Sequence, residues 1–146
     1  MRDVKSMTGL VWWMRGVAIL YLFVFVAATI LRIPIRVEGP EGILEKAASG
    51  DPTSRFVVDT WVSFGLVFGV LGTALLIASR RPASARTLVW TVVAGEFVWG
   101  IFLDTYKISR GYDATSPVVW IIIHTLVIVT GVLFLRKTQS LQSPEG

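Results

Sequence analysis

Apolar positions fall into four blocks, each about as long as the ~20 residues a helix needs to cross a hydrocarbon core. Their expected bounds are about 10–33, 52–79, 84–106 and 117–136. Pro34 closes the first block, because it lacks a backbone donor and cannot continue the helix. Asp51-Pro52 and Ser116-Pro117 open the second and fourth, each a capping residue followed by proline at the first helical position. Arg80-Arg81-Pro82 and Arg136-Lys137 close those same two blocks. Between the first two blocks, Pro40-Glu41 begins and Gly50 ends a short helical pattern that places Ile43, Leu44, Ala47 and Ala48 on one side. The predicted fold is therefore all-α: a four-transmembrane-helix bundle with a short amphipathic helix in the first outer loop. That loop helix is read either as a lid over a cavity or as a plain cover that holds the second span in place. Residues 1–137 form one four-span domain, and 138–146 form a short disordered tail.

Composition agrees. Of 146 residues, 53% are hydrophobic and 16% charged, which is not the balance of a water-soluble domain. Cysteine is absent and there is one histidine, so thiol chemistry, iron–sulfur ligation and multi-histidine metal sites are excluded; no metal and no cofactor are expected. Four spans put both termini on one side. Arg2, Lys5, Arg15, Arg80, Arg81, Arg86, Arg136 and Lys137 lie on that side, and six basic residues (Arg32, Arg36, Lys46, Arg55, Lys107 and Arg110) lie on the other. The positive-inside rule then makes the termini cytoplasmic in a multi-pass inner-membrane protein. The net charge of +4 reflects this topology and the anionic headgroups beside it, and no basic stripe with exposed aromatics points to nucleic acid. Val26-Ala27-Ala28 has the small residues of a signal-peptidase site, yet the apolar run continues past it, so the first block reads as an anchored span.

Glu96 is the most informative residue. An acid near the middle of a span costs roughly 2.5–3.5 kcal/mol on insertion scales, so it must face protein or water. Its carboxyl is expected to carry a proton unless a cation pairs with it. Trp99 and Gly100, three and four residues on, share its helical face. His124 lies at similar depth on the fourth span, and Asp104 and Asp59 lie nearer the outer surface, so these groups outline a shallow polar cavity narrowing inward. Ligand contacts are expected from Glu96, Trp99, His124, Asp104 and Asp59. The competing reading makes Glu96 and His124 packing glue between helices. Gly65, Gly69 and Gly72 form a close-packing face on the second span, against a helix either of this chain or of a second copy.

Trp12-Trp13-Met14-Arg15, the loop from Arg32 through Gly39-Pro40-Glu41-Gly42 to Gly50-Asp51-Pro52, and Leu103-Asp104-Thr105-Tyr106 with Arg110-Gly111-Tyr112-Asp113 carry a resemblance to the BphX-like family. The resemblance spans roughly residues 10 to 137. It implies a small bacterial integral membrane protein, some relatives of which are associated with aromatic-degradation gene clusters, and it carries over no catalytic residue or cofactor. In architecture alone, the chain is also similar to the sterol-isomerase and sigma-2-receptor group. The leading expectation is a non-enzymatic protein that binds a small apolar or aromatic molecule in an outer-side intramembrane cavity. The alternatives are an accessory subunit, homo-oligomeric through the second span and without a ligand, and an intramembrane isomerase or proton carrier that uses Glu96.

Overall fold

The computed structural model describes residues 2–38 and 41–139, with side chains from Met7 to Arg36 and from Glu41 to Thr138. Among the described residues there is no strand. Helix α1 (Arg2–Phe25) runs into a π-helical segment at Val26–Ile30. Two short helices follow, α2 (Ile33–Glu38) and α3 (Ile43–Ser49), before the long α4 (Pro52–Ala78). A 3₁₀ turn at Pro82–Ser84 leads to α5 (Arg86–Gly95), a second π-helical segment (Glu96–Phe102) and α6 (Leu103–Ser109), which form one continuous rod. Helix α7 (Thr115–Gln139) ends the described chain.

Four helices are long and apolar enough to cross a membrane: Met7–Ile30, Pro52–Ala78, Arg86–Ser109 and Thr115–Thr138. Large apolar side chains such as Phe23, Val70, Phe97, Ile122 and Leu133 point outward along them. An apolar surface of this extent is compatible with a multi-pass membrane protein. Thr115 opens α7, its backbone N–H and hydroxyl both bonded to Asp113 Oδ1. The predicted tail from 138 falls, beyond Gln139, outside the described residues, as does Pro40.

Pro34 does not end the first span. The rod breaks earlier, at Leu31 and Arg32, where Arg32 takes a left-handed φ of 54° and its carbonyl accepts the Arg36 N–H at 3.1 Å. Pro34 then lies in the first turn of α2, where a missing N–H costs nothing.

The chain divides into two compact units, Met1–Arg15 with Ile77–Gly146, and Gly16–Leu76. In the Gly16–Leu76 unit the small-residue face of α4 meets the first helix of the same chain. A Cβ on Gly69 would lie 3.0 Å from the Phe25 ring, and one on Gly72 would lie 3.0 Å from the Ala18 carbonyl oxygen. Gly65 leaves room for Thr29, whose hydroxyl donates to the Val62 carbonyl at 3.3 Å. Tyr21, Phe68 and Phe64 follow edge to face, with centroids 4.8 Å apart at each step. At these three glycines the space is filled by the chain's own first helix. Ile35, Ile43 and Val58 form a small core that Leu44, Ala47 and Trp61 cover. The amphipathic stripe of α3 is therefore packed onto α2 and the start of α4, the arrangement expected of a cover.

In the other unit, Leu10, Trp13 and Met14 of α1, Val89, Val92 and Val93 of α5, and Val127 and Leu135 of α7 are buried. The Trp13 indole fits over Gly131 and donates to Thr130 Oγ1 at 3.0 Å and to the Val127 carbonyl at 3.2 Å.

Candidate functional site

The site lies in the Met1–Arg15 and Ile77–Gly146 unit, where the π-helical segment packs on α7. In an α-helix, residues eight apart are offset by roughly 80° beyond two whole turns, so Glu96 and Asp104 would diverge. The i→i+5 turn of a π-helix holds an extra residue and takes up that offset. Glu96, Gly100 and Asp104 are all buried along one line as a result.

His124 on α7 faces this line. Its Nδ1 is hydrogen-bonded to Glu96 Oε2. Its Nε2 lies 3.7 Å from Asp104 Oδ2. The other Asp104 oxygen, Oδ1, accepts from Lys107 Nζ at 2.9 Å. Glycine at 100 makes room for the ring, since a Cβ there would fall 2.6 Å from Nδ1. One turn before His124, Trp120 stacks on the imidazole, with centroids 5.8 Å apart and planes 29° from parallel. The carboxyl side chains are nearly closed off, Glu96 at 3% and Asp104 at 7% exposed, while His124 keeps 15%.

Chemically this is an acid–imidazole–acid–ammonium array. Hydrocarbon tolerates it only when its net charge is near zero. That condition leaves His124 with a carboxyl group facing each ring nitrogen, the donor and acceptor roles following the ring's tautomer.

The structure thus brings together three of the five residues expected to contact a ligand: Glu96, His124 and Asp104. Asp104, expected nearer the outer surface, is a buried partner of Lys107. Trp99 is 59% exposed, because in the wider π turn the residue three ahead falls further short of a full turn. Asp59 belongs to the other unit and is exposed on α4. Sequence reasoning missed two parts of the site. Trp120 stands four before the only histidine, a spacing that marks a shared helical face. Lys107 reads as loop charge, although its spacing of three from Asp104 allows the pair. Elsewhere in this unit, a hollow of about 20 Å³ lined by Leu10, Pro82, Arg86 and Leu135 holds one water-sized group at most.

Two curated relatives are similar to this chain: the uncharacterized BphX-like protein of Burkholderia cepacia and that of Paraburkholderia xenovorans strain LB400. Each is 32% identical over 92 residues, which is 62% of this chain and 66% of the relative, just under two thirds of its length. No family model matches, and no solved structure matches.

Proposed function

Since the chain belongs to the BphX-like family, whose two compared members are themselves uncharacterized, we propose its function from the site: it binds a small apolar or aromatic molecule at the Glu96–His124–Asp104 array. It does so as a multi-pass protein of the bacterial inner membrane, with both termini cytoplasmic. The orientation is supported by the eight basic residues on the terminal side against six opposite. The observation that carries the binding reading is the state of His124. It is clamped at Nδ1 and stacked on Trp120, yet remains the most accessible of the three site side chains. A few convergent polar groups beside an aromatic ring, set in apolar surroundings, are the usual make-up of a small-molecule site. Gly65, Gly69 and Gly72, the face named for the accessory-subunit alternative, pack on the chain's own first helix.

Radiolabelled naphthalene tests the reading, with the protein in lipid nanodiscs and empty nanodiscs as the reference. Saturable binding of one molecule per chain is expected. Trp120→Leu and Gly100→Leu, which remove the stacked ring or displace the imidazole, are each expected to weaken it by about tenfold. Uptake indistinguishable from empty nanodiscs would refute the reading.

A further inference from the structure

The geometry points to a hydroxyl group as the polar handle of the bound molecule, seated between His124 Nε2 and Asp104 Oδ2. This rests on the binding reading above and narrows it to one ligand class, small apolar or aromatic alcohols and phenols.

Every other joint of the array is made. Nδ1 is bonded to Glu96, and Asp104 Oδ1 is bonded to Lys107 at 2.9 Å. The Nε2–Oδ2 separation of 3.7 Å is the open one, longer than a hydrogen bond. That gap has an imidazole nitrogen on one side and a carboxyl oxygen on the other, a donor facing an acceptor. The group that completes it must accept and donate through a single atom, and a hydroxyl oxygen does both. An ammonium has no acceptor. An ether or ketone has no donor for Asp104. A carboxylate likewise has no donor, and a carboxylate or phosphate brings an anion against Asp104. A secondary amide has both functions, but on separate atoms too far apart for one gap.

The distances agree. An oxygen set to one side at about 2.8 Å from each atom bridges 3.7 Å with an angle of roughly 80°, and reaching the tetrahedral angle widens the gap by less than about 1 Å. His124 is held by Glu96 and Trp120, so Asp104 is the side that yields. Its partner Lys107 is 37% exposed and moves with it.

The chain has one histidine, so a ¹⁵N-histidine label reports on His124 alone. The labelled protein in phosphatidylcholine nanodiscs is titrated with three probes: 1-naphthol, 1-methoxynaphthalene and naphthalene. The expected result is a saturable shift of the Nε2 resonance with 1-naphthol, at an affinity at least about tenfold above those of the other two. Asp104→Ala is expected to bring the three affinities together. Equal affinities for all three probes in the unaltered protein would overturn the hydroxyl assignment and leave the binding reading standing. So would a preference for 1-naphthol with no movement of Nε2. Failure of all three to bind saturably would sink both.

Discussion

The two units use the same devices to different ends. Each contains a π-helical segment, Val26–Ile30 in one and Glu96–Phe102 in the other, and each contains glycines whose missing side chains are filled by a neighbour. In the Gly16–Leu76 unit the neighbours are a backbone carbonyl, aromatic rings and Thr29, so close approach yields packing. In the other unit the neighbour of Gly100 is an imidazole, and the π segment aligns two acids toward it. Neither a π turn nor a glycine marks a site on its own. What distinguishes the second unit is that the space they open is occupied by titratable groups bonded to one another.

The comparison can be broken most forcefully at Gly65. Gly65→Leu would drive a side chain into Thr29 and Ala28, and an overpacked interface of this kind loses about 3 kcal/mol. Unfolding in detergent should show this loss, with little change in the ¹⁵N signals of His124 in the variant that remains folded. A large change in those signals would mean that the two units do not divide the roles. Glu96→Ala acts on the other side of the comparison. It removes the partner of a buried imidazole nitrogen and should cost about 2 kcal/mol by the same unfolding measurement. Glu96→Gln should recover most of that stability, because the amide still hydrogen-bonds.

Smaller effects sharpen the picture at the edges. Trp13→Phe keeps the ring over Gly131 but deletes the indole donor to Thr130 and Val127, for a loss of about 1 kcal/mol. The smallest change is expected at Asp51. Hydrogen bonding from Ser54, side chain first and backbone N–H second, holds the Asp51 carboxyl below its ordinary value. Its contribution is therefore complete above the ordinary carboxylate range and is lost as pH falls through the lowered value. Amide exchange at Ser54, whose N–H bonds Asp51 Oδ2 at 2.8 Å, should accelerate in Asp51→Ala at neutral pH, and in the native protein only in strong acid.

The hydropathy of the chain revealed the four long helices because hydrocarbon thickness imposes a length that composition alone can report. Glu96 stood out for the same reason, as a charge that such a block tolerates only with a partner. The π turn was not legible. It changes which residues share a face by adding one position per turn, and no residue type announces it; hence the sequence groups Trp99 with Glu96 on one helical face and sets Asp104 apart, nearer the outer surface. The break at Arg32 was hidden for a related reason. Proline marks where a helix cannot continue, but it equally marks where one begins, and Pro34 does the latter. The partner of the Gly65 face lay beyond any reading of one segment, since small residues permit a close approach without specifying what approaches.

The central claim is that His124 is held between two acids, bonded to Glu96 at Nδ1 and facing Asp104 at Nε2. Solid-state ¹⁵N NMR of the single histidine in lipid bilayers, native against Glu96→Gln, addresses it directly. The account predicts one fixed tautomeric pattern in the native protein, with Nδ1 displaced from the free-imidazole position, and a Glu96→Gln spectrum in which Nδ1 moves strongly and Nε2 little. A native ring that averages between its two tautomers, as free imidazole does, and is indifferent to residue 96 would contradict it.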